Sequence, residues 1–238
     1  NKFDEEFDYI IVGAGASGCV VANRLSSDPG VKVLLIEAGD EDVDPAIKET
    51  AVTKLFTLWK PELSWGLETE PEPYCNDLKK PLIQGRVLGG GSTLNGRIFV
   101  RGHRRDYDNW AHLGNEGWSY NEVLPFFKKL EDFEGGASET RGTGGPIHIA
   151  KLKDPSPTAL AWIEASKQQG YGGDIDYDYN SREQGGIATL TQSATTIDGR
   201  RNSAAVGYIH DIMNRPNFTL KTRSEVSRIL FDDNRAIG

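Results

Sequence analysis

Cysteine, long apolar runs and clustered basic residues are what this sequence has least of, and each scarcity closes off a class of function. Two cysteines, Cys19 and Cys75, give neither a metal-ligand spacing nor a disulfide framework. No apolar run approaches the roughly 18 residues that a membrane-spanning helix needs. The densest basic stretch, Arg101 to Arg105, runs straight into Asp106 and Asp108. With a formal net charge of −8, the chain has no electrostatic footprint for nucleic acid or an anionic membrane. Residues Asn1 to Glu6 are polar and acidic, which is not a signal-peptide pattern, and the absence of Met at position 1 points to something upstream. The expectation is a soluble protein, cytoplasmic or secreted. Internal repeats and low-complexity tracts are absent, and the sequon Asn217-Phe218-Thr219, in an expected strand, reads as chance.

What is present begins at Phe7. Residues 7 to 12 (FDYIIV) form a short apolar run, the pattern of a buried parallel strand. The run enters Gly13-Ala14-Gly15-Ala16-Ser17-Gly18, and a helical pattern follows over Cys19 to Ser26. After the turn Asp28-Pro29-Gly30 comes a second apolar run, Val31 to Ile36, ending at Glu37. The acid lies 37 − 18 = 19 residues past the last glycine, close to the spacing of a dinucleotide-binding fingerprint. Gly13 would permit the tight turn, Gly15 the approach of a pyrophosphate, and Gly18 close packing of helix on strand. The helix N-terminus offers N–H groups and a positive dipole end to phosphates. Glu37 is placed to accept from a ribose diol. Cys19 reads as a small packed helix residue.

A nicotinamide dehydrogenase would continue with further strand–helix units, but Asp40 to Pro81 is irregular, with prolines at 45, 61, 71, 73 and 81. A second glycine cluster follows, Gly85-Arg86-Val87-Leu88-Gly89-Gly90-Gly91-Ser92-Thr93-Leu94-Asn95-Gly96. Consecutive N–H groups in such a loop form an anion-binding nest, with Ser92 and Thr93 as added donors. Two phosphate-cradling loops suit a long cofactor such as FAD better than NAD.

Residues 85 to 108 (GRVLGGGSTLNGRIFVRGHRRDYD) resemble the first signature of the glucose–methanol–choline oxidoreductases along its full length. Glu37-Ala38-Gly39, Trp65, the stretch from Asp106 to Trp110, and Arg201-x-Ser203-Ala204-Ala205 fit the same family. The resemblance covers the whole chain but only the first part of the family's length. It implies an α/β fold: a Rossmann-like FAD-binding domain with the start of an inserted α+β substrate-binding domain. It further implies FAD held by Gly13, Gly15, Ala16, Ser17, Gly18 and Glu37. Trp65, Arg86, Val87, Gly89, Gly90, Ser92, Asn95 and Gly96 would lie along the pyrophosphate and flavin. Val226, in a return strand expected over Ser224 to Ile229, would meet the adenine. Covalent members of the family carry a His before the signature asparagine; Leu94 stands there, so the expected FAD is non-covalent.

The implied layout is a first FAD-domain part over 1–145, a substrate-domain segment over 146–198 and a return over 199–238. Within it, Ser119 and Glu122 form a capping box opening a helix to Leu130, and Ser156-Pro157 open another that ends at Gly170. Residues 172–186 read as a surface loop, and Asn202 to Met213 as a helix. None of the histidines 103, 112, 148 and 210 matches the family's catalytic His, though His148 could face a substrate cavity. The expected activity is hydride transfer from an alcohol to flavin, with no catalytic or metal-ligating residue on this chain. Lyase, photodecarboxylase and stand-alone FAD-binding modules are the alternatives. Because Arg235 to Gly238 begin what reads as the second strand of a hairpin, the chain is expected to need a complementary C-terminal polypeptide carrying the catalytic His.

Overall fold

A computed structural model describes residues 5–48, 58–186, 190, 192–196 and 198–238. They form two compact units, Asn1–Gly96 with Arg200–Gly238, and Arg97–Gly199.

The first unit opens with β1 (Tyr9–Val12), α1 (Ala16–Leu25) and β2 (Val33–Ile36), the two strands pairing in parallel with Tyr9 opposite Val33 and Val12 opposite Ile36. Small residues Cys19 and Ala22 are what α1 buries, so the helix lies close on the sheet. β2 starts two residues later than its apolar run, because the Val31 N–H closes the preceding turn on the Asp28 carbonyl at 3.1 Å. Then come α2 (Pro45–Lys48), the short antiparallel pair β3 (Leu67–Glu68) and β4 (Pro81–Leu82), and α3 (Gly91–Leu94). Part of the stretch expected to be irregular, 49–57, lies outside the described residues. Val87 and Leu94 pack with Ile47, Leu58 and Leu63. That core anchors the second glycine cluster and accounts for the apolar side chains inside it.

The second unit contains α4 (Arg104–His112), α5 (Tyr120–Leu130), β5 (Glu131–Phe133), β6 (Ile147–Lys151), α6 (Pro157–Gln168) and β7 (Gln192–Ala194). Glu122 accepts from the Ser119 N–H at 3.0 Å, Ser156 Oγ accepts from Ala159 N–H, and Gly170 at φ 79° follows α6. β6 pairs in parallel with β5 and antiparallel with β7. The two packing units part at 96/97 and at 199/200. Residues 172–186 are more than a surface loop. Fully buried Glu131 accepts from Arg101 and Arg141, and Arg141 also grips Asp178 at 2.9 Å, while the Asn180 amide is buried against Gln192. Buried charges need such partners, and the loop supplies one.

Back in the first unit, β8 (Phe218–Lys221) adds in parallel to β2, giving the order β1-β2-β8. Three carbonyls, of Ser26, Asp28 and Val31, lie 2.7–3.1 Å from the Asn217 amide nitrogen. The sequon's asparagine is thus consumed in tying α1 and β2 to β8.

Two expectations fail here. The segment expected as a helix over Asn202 to Met213 is a π turn at Ala205–Ile209 running into a 3₁₀ turn at His210–Ile212. The Tyr208 carbonyl accepts the Asn23 amide at 2.7 Å, so a tertiary partner takes an acceptor that a regular helix would use internally. The return strand expected over Ser224 to Ile229 is likewise not a ladder strand: Arg223, at φ 52°, turns the chain out of the sheet after β8. The terminal hairpin does form, from β9 (Phe231–Asp232) and β10 (Arg235–Ala236). No helix among the described residues is long and apolar enough to cross a membrane.

Candidate nucleotide-binding site

The site is built where β1 turns into α1. Gly13, at φ 90°, donates its N–H to the Ile36 carbonyl at 2.8 Å, extending the β1–β2 ladder by one residue. Gly15 caps α1 with no side-chain hydrogen bond. The first-turn N–H groups of Ala16, Ser17 and Gly18 have no acceptor within the helix, and the dipole makes this end positive. A Cβ on Gly18 would lie 2.0 Å from the Gly13 carbonyl oxygen, whereas one on Gly15 would meet nothing within 4 Å. Gly18 is needed for packing; the space over Gly15 is open. Cys19 sits below, its thiol 3.3 Å from the Ala14 carbonyl, and burial pushes its pKa up to about 12. It is a neutral packed residue.

Glu37, 6% exposed, closes the other side. One carboxylate oxygen accepts the Ala14 N–H and the other the Gly39 N–H, both at 2.8 Å. The carboxylate thus straps the glycine loop to the end of β2, a role the sequence did not announce. Each oxygen retains a second lone pair.

The second glycine cluster lies directly on the first. Asp40 and Val87 form a parallel bridge, Leu88 N–H donates to Asp40, and Gly89 N–H donates to Ala14 at 2.8 Å. A Cβ on Gly39 would strike the Arg86 carbonyl at 2.0 Å, and one on Gly90 (φ 54°) would fall 2.8 Å from Gly15 Cα. The expected donor nest is not what this loop forms, however. The Ser92 hydroxyl donates to the Gly89 carbonyl and the Thr93 hydroxyl to the Leu88 carbonyl, at 2.6 and 2.7 Å. The N–H groups of Gly90, Ser92 and Thr93 also donate to carbonyls of residues 87, 89 and 90. These donors close the tight turn into α3, and the loop shapes the space above α1.

The structure joins Gly13, Gly15, Ala16, Ser17, Gly18, Glu37, Arg86, Val87, Gly89, Gly90 and Ser92 through this network. Trp65 attaches through its ring, 5.1 Å beneath the Arg86 guanidinium, and Arg86 is 3.5 Å from Glu225, the residue before Val226. Ser224 N–H donates to the Glu37 backbone carbonyl at 2.9 Å, which brings half-buried Val226 to the same end. Asn95 and Gly96 are exposed beyond α3. Arg201 escaped selection as a site residue although its side chain is buried against α3; only its place beside Ser203-Ala204-Ala205 signalled it.

Three of the four histidines have a partner among the described residues. His103 caps α4, and His148 Nδ1 lies 3.1 Å from Asp132 in the second unit. His210 Nε2 lies 2.9 Å from an oxygen of buried Asp42. That hydrogen bond, with charge attraction from Asp42 and Asp211 outweighing burial and nearby Lys48, raises the His210 pKa above its ordinary 6.5. Its contribution to stability is fully present below about pH 6.5 and is lost as pH rises through the raised folded value. The difference in melting temperature between the protein and a His210→Ala variant should therefore shrink from pH 6 to pH 9; a pH-independent difference would contradict the pairing. Among the described residues no group of His, Cys, Asp and Glu is arranged to hold a metal ion.

The family model for GMC oxidoreductase matches residues 7–238. An oxygen-dependent choline dehydrogenase of Brucella anthropi is 39% identical over 233 residues, covering 98% of this chain and 41% of that protein. Pyridoxine 4-oxidase from Mesorbium loti superposes with a TM-score of 0.89 at 34% identity, over 97% of this chain and 45% of that one. An FAD-dependent oxidoreductase from Chaetomium thermophilum gives 0.87 at 31% identity, over 98% and 41%. The chain spans about two fifths of the length of the curated relatives it matches.

Proposed function

The chain belongs to the GMC oxidoreductase family, and we propose that it is the FAD-binding portion of an enzyme that oxidises an alcohol. The observation that carries this reading is the uncapped N-terminus of α1, open in the direction of a Gly15 Cβ, with Gly90 packed close to Gly15 and the Glu37 carboxylate bound to Ala14 N–H. Such a cradle fits a dinucleotide: the N–H groups of Ala16, Ser17 and Gly18 suit the pyrophosphate, and the remaining Glu37 lone pairs suit a ribose diol. Val226 then serves the adenine end, and Arg86, Val87, Gly89, Gly90, Ser92, Asn95 and Gly96 line the way to the flavin, with Trp65 beside Arg86. When bound, FAD supplies the acceptor for a hydride leaving an alcohol carbon. Leu94 has no nucleophile and is buried in the core, which supports non-covalent retention.

In this reading 1–145 and 199–238 serve the cofactor and 146–198 begins the substrate-binding domain. The relatives' names, a choline dehydrogenase and a pyridoxine 4-oxidase, fit an alcohol donor. In this reading the base that takes the hydroxyl proton comes from further polypeptide, as the family resemblance implies; the His210 and His148 rings lie against Asp42 and Asp132. That polypeptide also has apolar surface to cover: β1 leaves Tyr9, Ile10 and Val12 about half exposed, and parallel sheets are otherwise buried on both faces.

The test is anaerobic mixing of the completed, flavin-loaded enzyme with a panel of primary alcohols, choline among them. Bleaching of the flavin absorbance by one of them is expected. A flavin that stays oxidised with every alcohol would favour a lyase, a photodecarboxylase or a plain FAD-binding module.

A further inference from the structure

Arg201 is 5% exposed and lies far from the glycine loops in sequence. Burying a guanidinium costs stability unless its donors find acceptors, and the acceptors here are specific. Nη1 donates to the Ser92 carbonyl and to Asn95 Oδ1, both at 3.0 Å, and Nε points to the Ile47 carbonyl at 3.4 Å. The same segment grips the loop again: Ala204 N–H donates to Ser92 Oγ at 2.9 Å, and the Ala205 Cβ would lie 3.2 Å from a Cβ on Gly89. The residues after Arg200 thus form a back wall to the turn running from Gly89 to Asn95. One nitrogen, Nη1, joins the backbone at Ser92 to the side chain at Asn95 across α3, while Nε of the same rigid plane reaches the Ile47 carbonyl.

Resting on the FAD reading above, we propose that Arg201 is a positioning residue for the cofactor-side loop. By holding the Ser92 carbonyl and Asn95 Oδ1 together it fixes the end of α3, and with it the surface that Asn95 and Gly96 offer to the flavin. Because a guanidinium only donates, the carbonyl end of the Asn95 amide is turned inward and the nitrogen end away from Arg201. Arg201 itself acts from behind the loop, through Asn95.

The test is a double-mutant cycle in the completed enzyme, reading the FAD Kd and the visible circular dichroism of bound flavin. Arg201→Gln and Asn95→Ala should each weaken FAD binding roughly tenfold or more and change the dichroism in the same sense. The double variant should be no weaker than the worse single one. Arg201→Lys, keeping the charge but not the planar array that also reaches Ile47, should recover part of the affinity. Additive losses, or Arg201→Gln with unaltered affinity and dichroism, would overturn the proposal. Should Arg201→Gln fail to fold, Arg201→Lys takes its place in the cycle with Asn95→Ala, and additive losses there would overturn the proposal equally. If the unaltered enzyme binds no FAD, it is the FAD reading that falls.

Discussion

Replacing Glu37 with Ala should leave the completed enzyme largely without flavin. The carboxylate does two things at once: it straps Ala14 N–H and Gly39 N–H across the mouth of the site, and in the proposed complex it accepts from the ribose. Hydrogen bonds to a charged group contribute about 1.5–3 kcal/mol each. Losing the ribose contact should cost about 1.5–3 kcal/mol of FAD binding, roughly ten- to a hundredfold in Kd, and losing the strap also loosens the loop that faces the phosphates. Glu37→Gln separates charge from shape. Its amide has one oxygen, so a nitrogen must face either the Ala14 or the Gly39 N–H, donor against donor. That variant should lose flavin about as badly as Glu37→Ala. A titration of apo-protein with FAD giving an unchanged Kd for either variant would remove Glu37 from the site.

A comparable loss, this time of stability, is expected from Gly18→Ala. The new Cβ would sit 2.0 Å from the Gly13 carbonyl oxygen, which is backbone and cannot rotate away. α1 would have to lift from the sheet, costing about 3 kcal/mol and lowering the melting temperature by roughly 6–12 °C for a chain of this size. Gly15→Ala is the contrasting case. Its Cβ would meet nothing within 4 Å, so the apo-protein should melt as before while FAD affinity falls, because the methyl group occupies the space the pyrophosphate needs. Equal melting temperatures for Gly18→Ala and Gly15→Ala would contradict this division of labour.

The strand, glycine loop, helix and second strand were readable because their determinants are local: apolar runs, three spaced glycines and a terminal acid. Caps and turns were readable for the same reason, as at Ser119, Ser156 and Gly170. The sequence misled where a group's direction, rather than its type, decides the outcome. Ser92 and Thr93 are hydroxyls in a glycine loop, but their protons go to the Gly89 and Leu88 carbonyls. The segment after Asn202 has helical periodicity, yet Asn23, remote in sequence, takes the Tyr208 carbonyl. The apolar alternation after Ser224 suggested a strand, and one positive φ at Arg223 diverts it. Arg201 was visible only as part of the stretch with Ser203, Ala204 and Ala205, because nothing in its own neighbourhood shows that Ser92 and Asn95 lie against it. The charged knot of Glu131, Arg101 and Arg141 was hidden for the same reason.

The claim on which the rest depends is that the cradle over α1 holds FAD, and holds it without a covalent bond. Acid precipitation of the completed enzyme, followed by identification of the nucleotide released, tests it most directly. The account predicts one intact FAD per chain in the supernatant and a colourless pellet. A supernatant free of flavin, whether the pellet is yellow or the protein never carried the cofactor, would contradict it.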